Sequence, residues 1–234
     1  MKEAAATRRY RQRSRAAAAE ANTERILHAT LDLFGERPFD QITLAAVAER
    51  AGVGVQSVIR RFQTKDGLAR AAFDWTVPQA LADRGEPASA APAEVAASLS
   101  RHYERWGELI DRMLRQEDVS PALAENAEAG RRGHRVWIEA AFAEPLAALP
   151  SRARHELAGR LAAVCGVELW LVLRRDNDLS AAQARAAVAH LIEACLASPP
   201  ADPIRSPDEW PRPRVHLARR RAPLPDRARP ARAP

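Results

Sequence analysis

The sequence predicts an all-α fold, with three short helices near the N-terminus and a larger helical region behind them. Two observations carry this. The chain of 234 residues is 47% apolar, and its apolar set is rich in Ala and Leu, which lose little side-chain entropy in a helix. Apolar residues recur at spacings of three and four, and no stretch alternates as a half-buried strand would. That apolar content suffices for a packed core, so wholesale disorder is excluded.

The elements follow in order. Residues 1–22 are Ala- and Arg-rich, lack an apolar stripe, and are expected to form a disordered or nascent-helical basic arm. Thr23 is placed to cap a first helix whose inward face is Ile26, Leu27, Thr30, Leu33 and Phe34. Pro38 ends it near Arg37. Thr43 caps a second helix through Leu44, Val47 and Ala48, which Gly52 stops. A short segment, Val53–Phe62, leads to a third cap at Thr64 and a helix expected to reach Trp75. The proline-containing stretch Pro78–Pro92 reads as a linker. Longer helices are expected at about 93–117, 122–148, 151–175 and 180–197. Eight prolines after residue 200 mark a disordered tail. The domain map is therefore an arm at 1–22, a small helical domain at 23–75, a larger one at 76–199 and a tail at 200–234.

Charge is unevenly placed. The net charge is +6, but residues 1–20 carry about +4 and residues 201–234 about +5, which leaves the middle at about −3. Basic ends on an acidic body suit contact with a polyanion rather than a membrane surface. The longest apolar stretch, Leu161–Leu173, is interrupted by Glu168 and is too short to span a bilayer. With no signal segment evident, a cytoplasmic protein is expected. Two cysteines, Cys165 and Cys195, exclude a disulfide framework. They make a zinc site improbable and read as small buried hydrophobes in a reducing compartment. The six histidines are scattered, and no HExxH, GxSxG, Gly-rich phosphate loop or spaced carboxylate pair occurs. No enzyme, metal site or cofactor is expected.

The segment Thr43–Phe62 carries the functional signal. A glycine at Ala51-Gly52-Val53-Gly54 permits the positive-φ turn of a helix-turn-helix, with Val47, Val53 and Val58 holding the two helices at a fixed angle. The second helix must present its first residues to base edges in a major groove about 12 Å wide. Val55, Gln56 and Ser57 stand there. A glutamine can bond adenine bidentately, a valine can meet a thymine methyl, and a serine can reach a base or a phosphate. Arg60 and Arg61 lie one turn on, placed for phosphates or a guanine. Thr43, and Thr64 with Lys65, open helices whose N-termini suit phosphate.

Three stretches together resemble the N-terminal domain of TetR-type repressors: Arg25-Ile26-Leu27-His28-Ala29-Thr30-Leu31-Asp32-Leu33-Phe34, then Thr43-Leu44-Ala45-Ala46-Val47-Ala48-Glu49-Arg50-Ala51-Gly52-Val53, then Phe62-Gln63-Thr64-Lys65-Asp66-Gly67-Leu68. The resemblance covers about residues 23–75, and beyond them only length and helical character agree. Where that family often has Thr-Leu-Tyr, this chain has Ser57-Val58-Ile59. Arg61 replaces a frequent His, and Pro38 a frequent Gly. The resemblance implies a DNA-binding head on a larger helical ligand-binding and dimerisation domain. It also implies a double-stranded, palindromic operator, a homodimer, a small-molecule effector and a repressor. A nonspecific, architectural DNA-binder using the basic arm and tail is the alternative.

In the larger domain, Trp106, Met113, His134, Trp137, Phe142 and Trp170 are either ordinary core or the lining of an apolar effector pocket. Glu168 either meets a ligand or pairs with an arginine such as Arg135. The apolar faces of 151–175 and 180–197 either complete a monomer core or, as the resemblance implies, pair across a two-fold axis.

Overall fold

The computed structural model describes residues 2–86 and 91–198, with side chains from residue 16 onward. The expected tail at 200–234 lies outside the described residues. The chain divides into a unit spanning Met1–Ala201 and a second at Asp202–Pro234, of which only the first is described here.

Helix α1 spans Lys2–Glu36, so the arm predicted at 1–22 has a helical backbone continuous with the first core helix. Thr23 is consequently no cap; its hydroxyl donates to the Ala19 carbonyl within the helix (2.9 Å). The expected inward face holds: Ile26, Leu27, Thr30, Leu33 and Phe34 are all buried. A short 3-10 turn at Phe39–Gln41 leads to α2 (Leu44–Ala51) and α3 (Val55–Phe62). Helix α4 (Lys65–Arg84) runs through Pro78 instead of ending near Trp75, and so crosses the expected border between the two domains. The linker expected at Pro78–Pro92 is thereby corrected, because α4 occupies its first half. A proline inside a helix removes one backbone bond and crowds the preceding turn. Here burial on both sides of Pro78 offsets that cost, through Phe73 and Thr76 before it and Arg84 after it.

Behind α4 stand α5 (Pro92–Arg115), α6 (Pro121–Ala141), α7 (Ala143–Ala147), α8 (Ser151–Val164), α9 (Val167–Leu171) with a π-turn at Val172–Asp176, and α10 (Ala181–Ala197). Two single helices expected from the sequence are each broken. The segment 122–148 breaks at the fully buried Phe142, which lets Pro145 fall in the first turn of α7, where its missing N–H costs nothing. The segment 151–175 breaks at Cys165-Gly166. Among the described residues there is no strand, and no helix is long and apolar enough to cross a membrane.

Two cores result. The first joins α1 to α4 through Leu33, Phe34, Val47, Val58, Leu68 and Phe73 and extends to Met113, Leu123 and Ala127 of α5 and α6. Phe34 meets Phe39 and Phe73 edge-on, at centroid distances of 6.3 and 5.3 Å. The second gathers Leu99, Tyr103, Trp137, Phe142, Leu161, Trp170 and Ile192. Helix α10 packs on α5 and α8 in this second core, with its N-terminus fixed by a Ser180–Gln183 capping box.

Burial keeps a tyrosine, two thiols and a histidine of the second core in their neutral forms. Tyr103 donates to the Cys165 carbonyl (2.9 Å), and burial pushes its phenol well above its usual range. Burial pushes the Cys165 thiol up to about 12, and raises the half-buried Cys195 as well. His102 shares its Nδ1 hydrogen with the Ala80 carbonyl of α4 (3.0 Å), and burial lowers its pKa from 6.5 to about 4.

That last shift has a pH consequence. Because the folded-state pKa of His102 lies below the unfolded one, the unfolded chain binds more protons between pH 6.5 and 4. The stability contributed by the neutral imidazole is present above pH 6.5 and is lost as pH falls towards 4. Thermal unfolding followed by circular dichroism should show Tm falling through this window. His102→Gln should reduce the slope by up to one proton, about 1.4 kcal/mol per pH unit. An unchanged slope would assign the loss to other groups.

Candidate nucleic-acid interface

The head is built around two turns, each set by a few local residues. At the first, Gly52 takes the left-handed conformation (φ 65°, ψ 39°), as the sequence leads one to expect. Its N–H reaches the carbonyls of Ala48 and Glu49, and Val53 N–H bonds the Ala48 carbonyl (3.0 Å), which closes the end of α2. Val47 and Val58 are fully buried between α2 and α3, with Val53 half-buried beside them. Arg50 forks onto Glu36 of α1 with bonds of 2.7 and 2.8 Å, which ties α2 to α1 from outside.

The second turn was not foreseen. Gln63, a residue with a full side chain, sits at φ 64° and ψ −52°, and Thr64 N–H bonds the Phe62 carbonyl across it (2.7 Å). This is a γ-turn of the rarer, strained hand. It folds the Phe62 carbonyl back over α4, where a Cβ added at Gly67 would lie 2.4 Å from that oxygen. The Phe-Gln-Thr-Lys-Asp-Gly run therefore has a steric basis: the residue three beyond Thr64 must lack a side chain.

The turns fix how α3 is presented. Its buried residue is Val58, while Val55 (36% exposed), Gln56, Ile59 (39%), Arg60 and Arg61 face outward and Ser57 is half-buried. Among the described residues neither Arg60 nor Arg61 forms an ion pair, in contrast to Arg50. The N-cap Gly54 supplies no side-chain acceptor, so the first N–H groups of α3 remain unbonded by a cap. Thr43 and Thr64 do cap their helices, accepting from Ala46 N–H (3.1 Å) and Gly67 N–H (2.9 Å). Lys65 is engaged within the protein. Its Nζ donates to the Phe39 and Asp40 carbonyls (2.9 and 3.3 Å) and lies 4.5 Å from the Phe39 ring, bracing α4 against the turn before α2.

The residues expected around an effector do not form one lining. Met113 belongs to the first core; Trp137, Phe142 and Trp170 are packed in the second. Trp106 is half-buried on α5, donating from Nε1 to Asp83 (2.8 Å) under the Arg105 guanidinium. Glu168 is exposed, and the pairing expected with Arg135 does not occur, because Arg135 lies 3.6 Å from Glu128 instead. Two surface cavities, of 420 and 590 Å³, have linings that include none of these residues.

His134 has a partner that the sequence did not suggest. Its Nδ1 lies 2.8 Å from Nη2 of Arg84, and its Nε2 lies 2.9 Å from the Ala162 carbonyl. A guanidinium can only donate, so Nδ1 accepts and the His134 proton sits on Nε2. Arg84 itself is 7% exposed, with its guanidinium 4.2 Å from the Trp137 ring centroid. A desolvated cation–π contact contributes roughly 2 kcal/mol, against a desolvation cost of several kcal/mol for a buried ion.

Comparison with known proteins agrees with this geometry. Residues 26–72 match the family described as bacterial regulatory proteins, tetR family. Among solved structures, a transcriptional regulator from Rhodococcus sp. Rha1 superposes with a TM-score of 0.59 at 21% identity, over 77% of this chain and 99% of that one. A tetR-family transcriptional regulator from Streptomyces coelicolor gives 0.56 at 18% identity, over 76% and 81%. A TetR-like regulator from Rhodococcus sp. RHA1 also gives 0.56 at 18% identity, over 75% and 96%. No curated protein matches the chain.

The steric role of Gly67 is open to test. Gly67→Ala should cost about 1–3 kcal/mol, because either the Phe62 carbonyl or the start of α4 must move. Thermal unfolding measures the loss, and a Tm equal to wild type would show the turn to be tolerant.

Proposed function

We propose that the chain, whose residues 26–72 match the family described as bacterial regulatory proteins, tetR family, is a sequence-specific, ligand-responsive repressor that binds a palindromic operator as a homodimer. The observation that carries this reading is the outward face of α3. It offers Val55, Gln56 and two arginines that form no ion pair among the described residues, on a helix held between two fixed turns. In the complex, α3 enters the major groove. Gln56 bonds an adenine edge, Val55 covers a thymine methyl, Ser57 reaches a base or phosphate, and Arg60 and Arg61 neutralise phosphate or read guanine. Thr43 and Thr64 start helices whose N-termini face the backbone, with Lys65 acting chiefly as a brace.

One small head meets few phosphates, so affinity requires two heads spaced about one helical turn, ~34 Å, apart. The outer surface of α8 to α10 suits such pairing. Leu169 and Leu191 are half-buried there, and Val172, which opens the π-turn, is 42% exposed. Effector binding in the second core then shifts the population between head spacings, and with it operator affinity.

Footprinting on the region upstream of the protein's own coding sequence identifies the duplex to use. Titration of that duplex against its scrambled version at fixed salt should show clear preference for the first. Equal affinities would replace this reading with the architectural one. On the preferred duplex, Gln56→Ala should cost about 1–3 kcal/mol and relax one base position. Uniform weakening on every duplex would remove Gln56 from base reading. Deletion of residues 1–20, with their six basic side chains, should flatten the salt dependence of binding, and an unchanged slope would show that they do not touch phosphate.

A further inference from the structure

Arg84 ends α4 inside the second core. Its Nε is buried without a hydrogen-bond partner, and among the described residues no carboxylate lies within ion-pair distance. No surrounding group bonds the guanidinium with a negative charge; the exposed Glu168 carboxylate acts on His134 and Tyr103 from a distance, without an ion pair to Arg84. His134 accepts from Nη2 as a neutral imidazole, His102 bonds the Ala80 carbonyl, and Tyr103 donates its hydroxyl proton to the Cys165 carbonyl. The Trp137 ring stacks on the guanidinium while its Nε1 donates to the Gly85 carbonyl (2.9 Å). The backbone around the arginine is likewise engaged, with Ser98 Oγ donating to the Arg84 carbonyl. The guanidinium is thus oriented by Trp137 and His134 while its buried Nε–H keeps a free donor. A buried charge left unpaired is costly, and a free Nε–H is the donor that a carboxylate takes in a fork.

We propose that Arg84 anchors an organic monocarboxylate with an apolar body, seated in the second core beside Trp137 and His134. The proposal rests on the reading of the chain as ligand-responsive and assigns the chemical class of the effector. One guanidinium with no carboxylate at bonding distance matches a single negative charge, whereas a phosphate dianion would leave one charge buried in excess. The apolar body follows from the neighbours Trp137 and Tyr103, which belong to the same core as Phe142 and Trp170. Arg84 and Trp137 retain 7% and 9% exposure, so the anchor lies just beneath the surface and not at the centre of the bundle. Its helix is the one whose other end begins at Lys65 in the head, which gives an occupant a mechanical link to α3.

The probes are benzoate and octanoate, with benzamide, octanamide and inorganic phosphate as controls, titrated into the full-length protein at neutral pH. Thermal unfolding and operator affinity are read in parallel. At least one of the two acids should raise Tm saturably, and the amides and phosphate should not. Arg84→Met should fold, by circular dichroism, and bind that acid at least about tenfold more weakly. Arg84→Lys, which keeps the charge but loses the planar fork, should respond at an intermediate level. The proposal is overturned if neither acid moves Tm, if amides or phosphate act as well as the acids, or if both variants respond as wild type does. Should Arg84→Met not fold, Arg84→Lys against Arg84→Gln decides by the same criterion. If an acid acts through Arg84 yet leaves operator affinity unchanged, the anion site stands and the ligand-responsive reading fails.

Discussion

The structure depends on one helix being shared by two cores. Helix α4 places Leu68, Ala69, Ala72 and Phe73 in the head and Arg84 in the body, and its Ala80 carbonyl and Asp83 carboxylate hold His102 and Trp106 of α5. Without it the head would be a three-helix fragment with too little apolar surface to order itself. The joint is reinforced at the head's far side, where Phe39 N–H bonds the Gln116 side chain (2.8 Å) and Arg70 of α4 pairs with Glu125 of α6. The pair is solvent-exposed and contributes little energy, but it sets register. Head and body are thus one packed unit in which an interior contact of α4 has a surface consequence.

Rigidity in the head comes from strain as well as from packing. A non-glycine residue in a γ-turn of the strained hand persists only where its surroundings over-determine it. Gln63 is over-determined by the Thr64 cap on one side and by the buried Phe73 and Leu68 contacts of α4 on the other. The Lys65 brace to Phe39 and Asp40 closes the same circuit from below. For the proposed reading of bases by α3 such a mounting is an advantage, since play at the base of the helix is magnified at its side-chain tips.

Much of the head was legible because its determinants are local. Thr43 and Thr64 announce their helices by cap chemistry, Gly52 announces a left-handed residue, and the period of Ile26 to Phe34 announces a buried face. What escaped had tertiary causes. Local propensity stops α4 at Pro78, and only packing carries it through to Arg84. The run Ala162–Leu171 reads as continuous helix, and the break at Cys165-Gly166 follows from how Cys165, Val167 and Trp170 must all reach one core. Thr23 resembles a cap only while the Ala-rich segment before it is taken as unstructured. Lys65 is a cation at a helix start by sequence, yet carbonyls 25 and 26 residues away claim its ammonium. Glu168 stands in an apolar run that suggests a ligand or an arginine partner, yet its own position on α9 is exposed. Arg84 carried no signal at all, being one of many arginines until the fold buried it.

The second core also sorts the protein's two thiols. Cys165 is enclosed, its carbonyl engaged by Tyr103 and its proton held up to about 12, so the thiolate that reacts with electrophiles and oxidants is essentially absent. Cys195, on α10, is only half-buried. An alkylating or fluorescent reagent therefore meets one address first, on the last helix of the bundle. In an oxidising episode the same asymmetry would confine damage to the rim of the bundle and spare its interior.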